Sequence, residues 1–308
     1  MKVNYFISIT GLWLAIFFGV AGQSDSVNFY PSIEIETGVM GSLGKQIPFW
    51  MLSNNFGKYS LSNAQAFAGI HLERSFTQGK NLDYFYGVEG VARLDKSSEA
   101  YLHQWYVGGK LWFTRIWAGA REEVYGNQDM VLSSGGLLWS GNARPMPKMM
   151  IDVPEYTTIP FTFKLVEFKG GMSHGWFEDD RYVKNAWLHH KYGYIRFGGW
   201  LPVKFHYGMH HFAQWGGASS DPDIGQLPNT LEDFKYVFLT RNRGEDPDIP
   251  WGEWFNKIGN HLGSRNFGLD INFKKFDTGL YWQTIFEDGS GKAYRNIKDG
   301  LFGLYFKL

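Results

Sequence analysis

Apolar and polar positions alternate along most of this chain. Val27, Phe29, Pro31, Ile33 and Ile35 alternate with Asn28, Tyr30, Ser32 and Glu34. Tyr84, Tyr86, Val88, Gly90, Ala92 and Leu94 share one face of a strand, and Phe85, Gly87, Glu89, Val91 and Arg93 share the other. Phe267, Leu269, Ile271 and Phe273 alternate with Gly268, Asp270, Asn272 and Lys274. After a tight turn at 275–277, Leu280, Trp282, Thr284 and Phe286 alternate with Tyr281, Gln283, Ile285 and Glu287. A period of two over such lengths predicts a β-hairpin with one apolar and one wet face. Similar hairpins are expected for 102–111 with 113–122 and for 184–190 with 192–198. Helical patterning is scarce. Residues 231–238 and 251–258 each predict a short helix, inside a stretch, 218–262, rich in Asp, Pro, Asn and Gly. Connections of ~4–6 residues are usual, so this one reads as functional or gating, a segment suited to occluding a mouth.

Two all-β architectures alternate in this way. A soluble sandwich turns its apolar faces into a dry core. A transmembrane barrel turns them to lipid and its polar faces to a lumen, with aromatic girdles, short turns at one end and long loops at the other. Strands near the ~9–11 residues of a tilted membrane strand favour the barrel. So does the alternation of short turns such as 275–277 with long segments such as 123–158 and 213–262. The charges of Glu89, Arg93, Asp270 and Lys274 fall on polar faces. Tyr84, Trp105, Trp112, Trp117, Trp187, Trp200 and Trp282 gather at strand ends, as a girdle requires. The expected fold is an all-β, transmembrane antiparallel β-barrel of the bacterial outer membrane. Residues 1–22 read as a signal peptide: Lys2, an apolar run over 5–20, then Val20-Ala21-Gly22. The competing N-terminal membrane helix has a run that is short for a ~20-residue span. Residues 23–308 then form the barrel domain, with its long loop at about 218–262.

Composition narrows the chemistry. Aromatics make up 18% of the 308 residues, yet mean hydropathy is only -0.29, which suits strands wet on one face. Hydrophobic residues at 44% exclude a disordered chain. The chain has no cysteine, so disulfides, thiolate metal sites, a catalytic Cys and a lipidated Cys are excluded. Thirty basic and thirty acidic residues cancel, which argues against a nucleic-acid partner.

Several motifs invite a sharper reading. Gly171-Met172-Ser173-His174-Gly175 fits the G-x-S-x-G pattern of serine hydrolases, but no helical pattern follows it, so a glycine-kinked strand end or turn competes. His189, His190, His206, His210 and His211 are five of the nine histidines. On one strand, however, His206 and His210 lie ~13 Å apart, and His210 and His211 point to opposite faces. Glu122-Glu123 and Asp179-Asp180 read as solvated rims before glycosidase pairs. Gly289-Ser290-Gly291-Lys292 lacks the upstream glycine of a P-loop and reads as a hairpin turn. The segments at 135–148 and 210–217 differ, because they set aromatics beside amides and Arg. Rings stack on sugar faces while Asn, Gln and Arg bond hydroxyls and carboxylates. Membrane-interface aromatics with turn residues are the competing reading.

These same segments resemble the capsule assembly (Wzi) family of bacterial outer-membrane proteins. The matching stretches are SGNARPMPK at 140–148, GMSHGWFEDD at 171–180, RYVKNAWLHHKYGYIRFGG at 181–199, GMHHFAQWGG at 208–217 and REEVYG at 121–126. Bacteroidetes-type members look most similar. The resemblance implies a barrel of about eighteen strands that binds capsular polysaccharide without cleaving it. It implies capsular or extracellular polysaccharide, outer-membrane lipid and the barrel-assembly machinery as partners, and neither cofactor nor metal. Trp139, Asn142, Arg144, His211, Gln214 and Trp215 are the candidate sugar contacts. This chain has room for roughly twelve to fourteen strands, so truncation of a longer product is expected. The rival functions are a porin-like channel and an outer-membrane hydrolase using Ser173 and His174.

Overall fold

The computed structural model describes residues 31–308 except 78, 130–132, 134, 246–248, 256, 288 and 296. The signal-peptide reading of 1–22 and the alternation over 27–30 lie outside these residues. The chain runs through β1 (Ser32–Gln46), α1 (Phe49–Leu52), β2 (Ser62–Arg74), β3 (Leu82–Leu94), β4 (Ser98–Leu111) and β5 (Thr114–Ala120). It continues through β6 (Lys148–Thr158), β7 (Val166–Trp176), β8 (Val183–Lys184), β9 (Trp187–Phe197) and β10 (Val203–Trp215). Then come β11 (Ala218–Ser219), α2 (Leu231–Leu239), α3 (Trp251–Phe255), β12 (Asn260–Asn272), β13 (Asp277–Phe286), α4 (Gly289–Lys292) and β14 (Leu301–Lys307).

Twelve strands form one sheet in sequence order, β1 to β7, then β9, β10, β12, β13 and β14. Every neighbouring pair is antiparallel. β8 and β11 form a separate small ribbon. β1 and β14 are the two edges, with no ladder joining them among the described residues. The expected hairpin at 267–286 is β12–β13, and that at 102–122 is β4–β5. The expected hairpin at 184–198 is instead one strand, β9, running through Lys191. Its Tyr192-Gly193 carries no reversal because both neighbours, β7 and β10, pair across it. Residues 289–292 form α4, part of a longer connection, where a hairpin turn is expected.

The sheet curls with its polar face inward. On β3, Phe85, Glu89 and Val91 are buried while Tyr84, Val88 and Leu94 are exposed. On β1, Ile33, Ile35 and Val39 are exposed, and on β14 so are Phe302, Leu304 and Phe306. An apolar outer surface that spans the sheet far exceeds the few hundred Å² a water-facing surface tolerates. Buried Gln65, Glu89, Gln104, His190, His210, Asn266 and Gln283 make the inside polar. Trp117, expected in a girdle, is an inward side chain packed with Phe85, Tyr106 and Met150. Lys274 lies exposed in the β12–β13 turn rather than on a strand face.

The connections sort by end, apart from the three-residue β3–β4 turn at 95–97, which lies among the long ones. β2–β3, β4–β5, β6–β7, β9–β10 and β12–β13 join at one end through short turns. The long connections 47–61, 121–147, 177–186, 216–259 and 287–300 all lie at the other. Two of them take opposite sides of the wall. The described residues of 121–147 fold inward: Tyr125 and Gln128 are buried, Tyr125 packs on β9 and β10, and Leu137 donates its N–H to Gln283 of β13 at 2.6 Å. Residues 216–259 fold outward. Val237 and Ile258 are buried with Ala213 and Trp215 on the outer face of β10. The segment inside the mouth is therefore 121–147, whereas the expected occluder, 218–262, lies outside.

Candidate functional site

The inward faces of β9 and β10 at the long-connection end carry a ladder of rings. His190, Tyr192 and Tyr194 alternate on β9; Gly208, His210 and Phe212 pair with them on β10. The rings of His190 and Phe212 stack at 3.8 Å and 3°. His190 with His210 (5.3 Å, 10°) and Tyr192 with His210 (5.2 Å, 11°) continue the ladder. Gly208 permits this geometry, because a Cβ there would lie 2.1 Å from the Tyr194 ring. The inward connection supplies two more rings. Trp139 stacks on Phe212 (5.6 Å, 21°), and Tyr125 meets His190 edge-on (4.7 Å, 75°).

Hydrogen bonds fix the imidazoles. Tyr194 Oη lies 2.7 Å from His210 Nε2, and His210 Nδ1 lies 3.0 Å from His190 Nε2. These contacts join Tyr194, His210 and His190 in one hydrogen-bond chain, whose direction is set by the imidazole tautomers, and the buried His190 Nδ1 has no partner among the described residues. Lys148 anchors the inward connection. Its ammonium pairs with Glu123, donates to Tyr125 Oη at 3.0 Å and sits 4.8 Å from the Trp139 centroid. Burial, reinforced by Glu123, pushes the Tyr125 phenol well above its ordinary pKa, so Tyr125 stays a donor to Glu123 Oε1 at 2.9 Å.

Deeper than Trp139 lies a cleft of about 210 Å³. Tyr192, Tyr194 and His210 form one wall; Arg115, Arg121, Glu122, Glu123, Asp152 and Lys169 form the rest with Tyr125. Most of these charges are already engaged. Arg115 holds Asp152 through two bonds of 2.8 and 2.5 Å. Glu122 meets Lys58 at 3.1 Å and His103 at 2.8 Å. Burial raises the Glu122 pKa, but His103 and Lys58 outweigh it and hold the carboxyl below its ordinary value. Burial likewise pulls Lys58 down, and Glu89 and Glu122 more than restore it, leaving it raised. Glu89, His103 and Glu122 sit close enough to share a cation, yet the Lys58 ammonium already takes that place, 2.8 Å from Glu89. His103 reaches the cluster through a bulge, since Glu89 pairs with Gln104 and Gly90 with Leu102, leaving His103 the extra residue.

The six sugar-contact candidates scatter. Trp139 joins the ladder. Gln214 faces the mouth on the same inward side of β10 as Phe212. Asn142 and Arg144 lie exposed at the rim, where Asn142 Oδ1 accepts the Asn54 N–H at 2.8 Å. Arg144 bonds Glu99 at 2.5 Å and covers the Tyr101 ring at 3.6 Å. His211 and Trp215 point outward and lie under α2. His211 bonds His261 at 2.9 Å, and Trp215 packs on Trp187 and Phe234. Tyr125, His190, Tyr192, Tyr194 and His210 are ladder residues the candidate set lacks. The signal for the β9 residues was the even spacing 190/192/194, obscured by reading a turn at Lys191. Ser173 lies within β7, facing inward opposite His190, while His174 faces outward against Phe234. Adjacent strand residues on opposite faces cannot form a nucleophile–base pair.

No protein among curated sequences matches the chain. A solved structure of Wzi from Escherichia coli is similar, and is described as an outer membrane protein involved in group 1 capsule assembly and a carbohydrate binding β-barrel. The identity is 17% and the TM-score 0.56, over 85% of this chain and 50% of that one. The chain thus spans about half the length of that structure, and it shares its barrel fold. A mutant of Rh. blastica porin matches at 8% identity over 89% of each chain, with a TM-score of 0.31, too low to bear on the fold. The family model described as "Capsule assembly protein Wzi" matches residues 52–308. With twelve meandering strands, a polar inside and that match over most of its length, the chain belongs to the capsule assembly protein Wzi family.

Proposed function

We propose that this chain is the wall of an outer-membrane barrel that binds capsular or extracellular polysaccharide without cleaving it, and so assists capsule assembly or anchoring at the surface. The observation that carries the reading is the ladder from Trp139 to Tyr194 beside a cleft of charged side chains. The half-buried rings of Trp139 and Tyr192 offer sugars stacking area, backed by the buried rings behind them, and the cleft's N–H groups and carboxylates match sugar hydroxyls. The exposed apolar outer face supports outer-membrane lipid as a partner, and a barrel of this kind is inserted by the barrel-assembly machinery. Export follows from the signal-peptide reading of residues 1–22. Among the proposed contacts, Trp139 and Gln214 face the ladder, while Asn142 and Arg144 shape the rim.

The test is direct binding. Purified full chain in detergent is titrated with the capsular polysaccharide of the producing cell, read by tryptophan emission and calorimetry. Saturable binding with no fragment released is expected, weakened at least tenfold by Trp139→Ala. Absence of binding, with unchanged cell-bound capsule in a deletion strain, refutes the proposal. Large steady currents in planar bilayers would favour the channel instead; the inward packing of 121–147 predicts none.

A further inference from the structure

Three cations and three carboxylates line the cleft, but they are not all paired with one another. Asp152 is taken by Arg115, Glu123 by Lys148, and Glu122 by Lys58 and His103. Arg121 and Lys169 remain. Among the described residues, neither has a carboxylate within 4.0 Å, and neither donates a hydrogen bond. Both are held by ring faces. The Arg121 guanidinium lies 4.9 Å from the Tyr106 centroid and 5.6 Å from Phe85. The Lys169 ammonium lies 4.8 Å from both Tyr156 and Tyr194. A ring face attracts a cation but accepts no N–H bond of normal strength and cancels no charge. Two half-buried cations thus face one cleft with their donors unused. Such groups are costly unless an anion arrives to meet them.

We infer that this cleft takes an acidic sugar, a pyranose bearing a carboxylate, with Arg121 and Lys169 as its anion contacts. The inference rests on the polysaccharide reading above and names the sugar class. A volume of about 210 Å³ equals roughly seven waters, room for one ring rather than a chain. Tyr192, only half-buried, is the ring of this wall that can meet the sugar. A planar guanidinium matches a planar carboxylate two bonds at a time, and the ammonium adds a point charge. Asp152, Glu122 and Glu123 also line the cleft, and each is already held by a cation or imidazole of its own.

The experiment compares an oligogalacturonide with its carboxyl-reduced, neutral counterpart, both titrated into the full chain in detergent, with inorganic phosphate as a third probe. The acidic oligosaccharide is expected to bind at least tenfold more tightly, a preference that shrinks as salt rises. Arg121→Gln and Lys169→Gln should each reduce acidic binding about tenfold or more and narrow the preference for the acidic over the neutral oligosaccharide. Equal binding of acidic and neutral oligosaccharides overturns the inference and leaves the polysaccharide reading standing. No binding of either, with none of the capsular polymer, overturns the reading beneath it. Phosphate competing as well as the acidic sugar overturns the assignment to a sugar carboxylate. Heat-dependent gel mobility checks that each variant folds. If Arg121→Gln does not fold, Lys169→Gln and the wild-type comparison still decide.

Discussion

Replacing Lys148 with methionine tests whether the inward connection is pinned by charge. Lys148 is 3% exposed. Its ammonium pairs with Glu123, bonds Tyr125 Oη at 3.0 Å and faces the rings of Trp139, Tyr125 and Trp117 at 4.8, 5.3 and 5.6 Å. Methionine keeps the length of the stem, so packing loss stays small. The lost charge leaves the Glu123 carboxylate buried without its cation. Breaking one side of a buried pair costs about 3–5 kcal/mol. The double variant Lys148→Met with Glu123→Gln removes both charges and should recover all but ~1–2 kcal/mol, since an uncharged amide is far cheaper to bury than a lone carboxylate. The assay is urea unfolding in detergent, followed by tryptophan emission and by mobility of unboiled samples. With a slope of about 3 kcal/mol per molar, the single variant should unfold about 1 M or more earlier. A single variant within ~0.3 M of wild type, or a double variant as weak as the single, refutes the pin.

The Glu122 carboxyl is held below its ordinary value, so its contribution is complete above about pH 4.5 and is lost as pH falls through the depressed native pKa. Urea midpoints should therefore drop between pH 5 and pH 3, and less so in Glu122→Gln; equal pH slopes in both would sink the argument. Thr230 caps α2, accepting the Asp233 N–H at 3.2 Å while Asp233 Oδ2 accepts the Thr230 N–H at 2.9 Å. Thr230→Ala should cost about 1 kcal/mol locally and speed amide exchange in 231–239 without moving the global midpoint; uniform acceleration across the barrel would contradict a local cap.

The fold was legible where alternation runs unbroken. β3, β12 and β13 follow from an unbroken period of two, and α2 from the helical patterning of 231–238. The misread places have physical causes. At Lys191, where a turn is expected, the chain instead runs straight through a strand flanked by partners on both sides, and partners cannot be seen in one strand's pattern. Trp117 carries the composition of a girdle residue, but strand parity puts it inside. His103 escaped because a bulge shifts the phase of β4, so His103 and Gln104 face inward together. The ladder was half visible. Trp139 stood out by type, whereas Tyr125, His190 and His210 acquire meaning only when three strands and a connection converge. His211 and Trp215 share the aromatic-amide composition of the same segment, yet parity and α2 put them beneath a helix on the other side of the wall.

That helix also limits where lipid can reach. A strand rising ~3.3 Å per residue at a tilt near 40° advances ~2.5 Å along the barrel axis, so a band ~25 Å tall takes about ten residues. On β10 the exposed apolar positions begin at Val203 and end at Met209. Above them His211, Ala213 and Trp215 are covered by α2. Trp200, 72% exposed in the turn below, marks the opposite boundary. From Val203 to Met209 the strand advances ~15 Å at that rise, so the exposed apolar surface of β10 stops where α2 covers the outer face, and α2 is expected to lie above the hydrocarbon. The natural chain has no cysteine, which makes single labels clean. A bilayer-depth probe attached at Phe205→Cys should be quenched by a lipid-tail quencher. The same probe at Lys235→Cys, on the exposed side of α2, should be quenched only by a water-soluble agent. Tail quenching at position 235 would place α2 in the membrane and overturn the assignment of the upper boundary.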